Sequence, residues 1–139
     1  MGISVPSRVH SDEVSIAEAL IVASFAYGED QWVRSDVVKS YLRTLPEMRG
    51  LDVAAIYREA DRNVRRHGAV SRIHELGRIS SEALRRKCFV LAIDVAYSSG
   101  ILDDGETLDA MRTSLGIGGS EARRYAIVLR VKYGQLPAA

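Results

Sequence analysis

Residues 86–106, RKCFVLAIDVAYSSGILDDGE, hold the stretch that most limits what this chain can become. From Cys88 to Ala96 the only charged residue is Asp94, so a helix here is apolar on nearly every face. Such a helix is stable in water only when other elements surround it. The run stops at Ser98-Ser99-Gly100 and gives way to the acids Asp103, Asp104 and Glu106.

A chain of 139 residues is long enough to supply those neighbours from one domain, without metal or disulfide support. With 19 Lys and Arg against 18 Asp and Glu, the net charge of +1 gives no global field for nucleic acid or an anionic membrane. The single cysteine, Cys88, lies inside the apolar helix and reads as a small buried hydrophobe in a reducing compartment. Residues 1–10 carry Pro6 and no period, and form a lead-in without a secretory pattern. Gly2 is followed by Pro6 where a myristoylation start wants Ser or Thr. The low-charge runs 19–28 and 88–100 are shorter than the roughly 20 residues a membrane span needs. The expected location is therefore cytoplasmic.

Helical punctuation runs through residues 11–139. Ser11 caps a first helix over 12–27, with Val14, Ala17, Leu20, Ile21, Ser24 and Phe25 at helical spacing. The segment 28–30 breaks it, Ser35 caps a second helix opened by Asp36, and Pro46 stops that one. Asp52 opens a third helix with an apolar stripe of Val53, Ile56, Tyr57, Ala60 and Val64, and Gly68 follows its end. Arg58, Arg62, Arg65 and Arg66 fall on or beside its other face, which reads as solvated and paired with Glu59 and Asp61 rather than as a nucleic-acid surface. A short fourth helix covers 71–78, and Ser81 caps the long apolar fifth. Asp103 or Asp104 caps a sixth bearing Leu108, Met111 and Leu115, and Ser120 caps a seventh that Gly134 ends. No segment alternates long enough for a strand, so the expected fold is all-α with about seven helices in one compact domain.

The two halves align at one offset. Ala26-Tyr27 falls on Ala96-Tyr97, and at the same shift Leu20 meets Val90, Phe25 meets Val95, Trp32 meets Leu102, Asp36 meets Glu106 and Leu45 meets Leu115. Each unit, about 12–46 and 81–116, is an apolar helix, a polar break, an acid and a second amphipathic helix. Duplication is the favoured account, with the two hairpins packed face to face around the first and fifth helices. An apolar helix ending in Ala-x-x-Asp-Gly, three more residues, then an acid opening the next helix, given twice, resembles the TerB-like (tellurite-resistance protein B) family. Residues 85–117, RRKCFVLAIDVAYSSGILDDGETLDAMRTSLGI, carry the resemblance best, and it extends from roughly residue 15 to 133. It implies an all-helical domain, two acidic clusters proposed to bind divalent metal, and a role in bacterial stress and tellurite resistance.

One such cluster comprises Asp103, Asp104 and Glu106, beside the Ser98 and Ser99 hydroxyls; hard divalent cations want oxygen ligands of this kind. The competing reading is that acids at a helix start cap free N–H groups and face its dipole. Ser99 stands where the family has the Asp of Asp-Gly. The other cluster comprises Glu29, Asp30 and Asp36, with Glu29 and Asp30 in place of Asp-Gly and Asp36 matching the helix-opening acid. An EF-hand does not fit, because counting from Gly105 puts Met111 where the bidentate Glu belongs.

Asp94 is a carboxylate within an apolar helix and calls for a cation, expected from Arg123, Arg124 or Arg130 of the last helix. His10, His67 and His74 show no metal-ligand spacing, and neither a phosphate loop nor a nucleophile elbow is present. The expected function is a non-enzymatic stress-response binding module whose partners are other proteins, with a divalent metal at the acidic loops. The alternatives are a metal-free protein-interaction scaffold and a small metal-dependent hydrolase using Asp94 and the clusters.

Overall fold

The computed structural model describes residues 11–27, 30–100 and 105–134. These residues form seven α-helices and no strand: α1 (Asp12–Ala23), α2 (Gln31–Leu42), α3 (Val53–His67), α4 (Ala69–His74), α5 (Glu82–Ser98), α6 (Gly105–Leu115) and α7 (Gly119–Lys132). No helix among them is long and apolar enough to cross a membrane. The lead-in 1–10 lies outside the described residues, as does the expected cap of α6 at Asp103 or Asp104.

The most enclosed helix is α1, not α5. Every residue from Val14 to Ala23 is buried, because α3 and α5 both pack on α1 and α2, α4 and α6 close the remaining sides. In α5 the unbroken buried run is Ala92–Tyr97; before it Leu84, Cys88 and Phe89 are buried, while Val90 and Leu91 stay partly exposed. The two sequences differ in how apolarity is spread. The α1 run 14–23 has one charged residue, whereas the first turns of α5 carry Glu82, Arg85, Arg86 and Lys87, which keep one side of those turns in solvent.

Helix ends follow local chemistry. Ser11, Asp52 and Ser81 are N-caps, their oxygens accepting from Val14, Ala55 and Leu84 amides at 3.2, 3.1 and 3.2 Å. Three boundaries depart from expectation. The α-helical part of α1 ends at Ala23, where the Ser24 hydroxyl donates to the Ile21 carbonyl at 2.7 Å and the chain tightens into a 3₁₀ turn. That rewinding swings Phe25 out to 42 % exposure, with the Arg34 guanidinium 5.1 Å from its ring centre. The start of α2 is capped by Asp30 rather than Ser35, one turn early. Gly118 rather than Ser120 precedes α7, with no side-chain cap.

Between α3 and α4 the chain turns on Gly68, whose φ of 85° only glycine adopts cheaply; it ends one helix and begins the next. The expected fourth helix is thus split into α4 and a 3₁₀ turn at Glu75–Arg78. Within that turn Gly77 lies against α6, where an added Cβ would stand 3.0 Å from the Ser114 carbonyl oxygen. Side chains such as Leu20, Leu42, Leu76 and Leu115 fill the interior, each contributing about 1.5–3 kcal/mol through burial.

The stripe Val53, Tyr57, Ala60 and Val64 on α3 is buried as expected, with Ile56 partly so. Arg58, Arg62, Arg65 and Arg66 are exposed, and Arg65 pairs with Asp61 at 2.9 Å.

Candidate functional site

A groove of about 360 Å³ runs between α6 and α7 over the face of α5. Its floor is Phe89, Ile93 and Tyr97, spaced by four residues and so aligned along one face of α5 over about 12 Å. Leu108 of α6 and Ala122 and Ala126 of α7 form apolar walls. Basic side chains stand on both edges: Arg112 on α6, and Arg123 and Arg130 on α7, two turns apart. Among the described lining residues the one acid, Asp109, accepts from Arg112 Nε at 3.0 Å, and Arg112 also donates to the Ile117 carbonyl at 2.9 Å. The Arg130 guanidinium lies 5.9 Å from the Tyr97 ring centre.

Two polar clasps hold α7 over α5. Near the helix starts Glu121 accepts from Arg86 Nε at 2.7 Å and from the Tyr125 hydroxyl. The Tyr125 hydrogen bond, foremost, keeps the Glu121 carboxyl below its ordinary range. Eight residues further along α5, Asp94 accepts from Lys132 Nζ at 2.9 Å and from the Tyr133 hydroxyl, with the α2 hydroxyl of Tyr41 at 3.1 Å. The clasps join early residues to early and late to late, so α5 and α7 run in the same direction.

At the second clasp the Tyr41 and Tyr133 hydroxyls are 2.8 Å apart, and both reach the same Asp94 oxygen. Each carries one proton, so the two can serve only two of these three contacts at a time. The Asp94 hydrogen bond, foremost, raises the Lys132 pKa above its ordinary value. Desolvation, followed by the hydrogen bond to Asp94, raises that of Tyr133.

Asp94 does find its cation on the last helix, but that cation is Lys132 and not Arg123, Arg124 or Arg130. Asp94 lies about 100° round α5 from the floor residue Ile93, and it meets the final turn of α7. The arginines at 123 and 130 face the groove instead. Asp94 and Glu106 are both outside the set of groove-lining residues.

Of the expected metal ligands, Glu29, Asp103 and Asp104 lie outside the described residues. The Asp30 carboxylate accepts from the Trp32 and Val33 amides at 3.1 and 3.2 Å, which gives it the role of helix cap. Asp36 is exposed on α2, six residues on, or roughly 240° around and 9 Å along the axis. Asp30 and Asp36 are thereby not brought together. Glu106 is exposed in the first turn of α6. Ser98 and Ser99 donate to the Val95 and Ala96 carbonyls at 2.8 and 2.6 Å, closing the last turn of α5. Among the described residues no group of three or more His, Cys, Asp or Glu side chains could hold a metal ion.

Sequence reasoning overlooked a second buried acid. Glu18 in α1 is 1 % exposed and accepts from Asn63 Nδ2 of α3 at 2.7 Å and Arg72 Nε of α4 at 3.0 Å. The signal that singled out Asp94, a carboxylate inside an apolar run, was present at Glu18 in SIAEALIVASF. Trp32, at the start of α2, is 82 % exposed.

Comparison with protein-family models, curated proteins and solved structures gave no match to this chain.

Proposed function

We propose that this chain is a non-enzymatic, cytoplasmic binding module that engages another protein through the groove between α6 and α7. The observation that carries this reading is the groove's make-up: an apolar floor on α5, with the Arg112–Asp109 pair on the α6 edge and Arg123 and Arg130 on the α7 edge. Apolar and guanidinium groups of this kind supply adhesion and orientation. The hydrolase alternative would draw on Asp94, and that carboxylate is engaged by Lys132 and two tyrosines away from the groove.

The TerB-like assignment and its bacterial stress-response role rest on the sequence resemblance. The proposed duplication draws some support from the packing of α1 on α5 and from the helix that follows each. Among the described residues the two units differ where α1 gives way to a 3₁₀ turn at Ser24–Tyr27 while α5 stays α-helical to Ser98. A divalent cation at the acidic loops is the weaker form of the proposal, since Asp30 already caps α2 and Asp36 points from another face. Calcium, magnesium and zinc titrations followed by NMR address it, and shifts confined to the Asp30 and Glu106 amides would restore it.

The decisive experiment places a photo-crosslinking residue at Ala122, in the groove, or at Arg62, on the exposed face of α3, in cells. A protein crosslinked from position 122 and not from 62 is expected. Equal or absent crosslinking at the two positions overturns the groove as the binding surface.

A further inference from the structure

We propose that the exposed side of α3 is a second binding surface, one that takes the phosphate backbone of duplex DNA without regard to sequence. It is separate from the groove and does not depend on it. The expected pairing of the α3 arginines with Glu59 and Asp61 reaches only Arg65, which meets Asp61 at 2.9 Å. Arg58, Arg62 and Arg66 are exposed and have no ion-pair or hydrogen-bond partner among the described residues. They follow Ala54 at steps of four, so the row climbs one side of the helix over about 18 Å. At its foot Arg43 and Arg49, also exposed and without a partner among the described residues, line a pocket with Val53 and Ala54. Five guanidinium groups thus share one strip, while α1, α2 and α4 pack on the other side of α3.

The neighbouring acids are engaged or face elsewhere. Glu47 accepts from Lys87 at 2.8 Å, Asp52 caps α3 by accepting from the Ala55 amide at 3.1 Å, and Asp61 holds Arg65. Glu59 faces α1, lining a pocket with Glu13. The whole chain carries only +1, so the attraction is confined to this strip.

What the strip lacks selects its occupant. From Arg58 to Arg66 the exposed side holds no apolar anchor of the kind that protein interfaces use. Tyr57 is buried, which leaves no platform there on which a single strand could stack. Asn63 is buried and donates to Glu18, so no carboxamide of α3 is left to read adenine. Repeated guanidinium charge remains, and it pairs with phosphate oxygens. B-form DNA sets phosphates along both sides of a groove that accepts one α-helix, whereas the major groove of duplex RNA is closed to side chains.

The test uses the full chain with a labelled DNA duplex of about 20 base pairs, its single strand and polyglutamate in fluorescence anisotropy, and anionic vesicles in co-sedimentation. The duplex is expected to bind tightest, and its affinity to fall about a hundredfold between about 50 and 200 mM salt for about four phosphate contacts. Arg62→Ala should make the slope of log affinity against log salt shallower by about 0.9, and Arg58→Ala, Arg62→Ala and Arg66→Ala together by about three times as much. Circular dichroism checks that these variants fold, and Arg123→Ala in the groove should leave duplex binding unchanged. No duplex binding at low salt, undiminished binding by the triple variant, or an equal loss in Arg123→Ala overturns the proposal. Tighter binding of the single strand, polyglutamate or vesicles does so too. The crosslinking control at position 62 reads captured protein, so DNA on α3 leaves it silent and the two proposals fail independently.

Discussion

Arg72 Nε lies 3.0 Å from Glu18 Oε1, with the two side chains 10 % and 1 % exposed. The pair ties α4 to the most enclosed helix of the molecule. Removing only the cation strands a carboxylate in the interior, so Arg72→Met should cost about 3–5 kcal/mol in denaturant unfolding. Glu18→Gln with Arg72→Met, which removes both charges, should recover much of that loss. Equal losses for the single and double variants would show that the pair is not coupled.

Burial pushes the Glu18 carboxyl above its ordinary 4.5, against the lowering hydrogen bonds from Asn63 and Arg72. The folded state then holds this proton more tightly than the unfolded chain. Glu18 therefore makes stability fall as pH rises from about 4.5 through the raised folded value, and leaves it flat above. Comparing unfolding midpoints of the native chain and Glu18→Gln across the mildly acidic range should isolate this contribution. A native-minus-variant difference that does not change with pH would be inconsistent with it.

At the Asp94 clasp the sign of the pH effect is the same but the window is alkaline. Lys132 and Tyr133 both have pKa values raised in the folded state, so their stabilising contribution is complete below about 10 and is lost as pH rises through the folded values. Asp94→Asn should flatten this alkaline decline and, at neutral pH, lower stability by about 1–3 kcal/mol. Thermal melts at neutral and alkaline pH check both parts.

Gly77 and Gly119 make a matched pair. An alanine at 77 would press on the Ser114 carbonyl at 3.0 Å, and should cost about 1–3 kcal/mol as the 3₁₀ turn and α6 move apart. An alanine at 119 meets nothing within 4 Å and sits in a helical first turn, so it should gain about 0.4–1 kcal/mol. Parallel urea titrations give the two values, and the same sign for both would contradict the packing.

Burial pushes the Cys88 thiol up to about 12, and its side chain is fully covered. A disulfide reagent at neutral pH should leave the folded protein unmodified and react in step with unfolding. Rapid modification of the folded state would place Cys88 at the surface.

The helical content was legible because its signals are local. Ser11, Asp52 and Ser81 carry capping oxygens, and Gly68 and Gly134 sit beyond helix ends, so neighbouring residues alone decide them. Asp30 and Ser35 are both competent caps, and nothing in the sequence ranks them. Which of the two starts α2 depends on where the preceding 3₁₀ turn releases the chain. The cation for Asp94 was traced to the right helix and the wrong residue, because the register between α5 and α7 is a tertiary quantity. A shift of two residues separates Arg130 from Lys132, and turns the side chain from the groove to the clasp. The groove joins three helices across forty-odd positions, from Phe89 to Arg130, and no local pattern marks it. Glu18 was visible by the criterion already applied to Asp94.

The attachment of α7 differs in kind from that of the other long helices. Leu129 is its one buried residue, while Ile127, Val128 and Val131 are exposed, and charged or hydroxyl groups fasten it at each end. Its hold on the bundle is therefore set by solution conditions as much as by apolar area. Hydrogen exchange should find α7 opening at lower free energy than α1, by a margin that widens with salt and at alkaline pH. The molecule would then loosen in two stages, first shedding one wall of its own groove and only later losing its core.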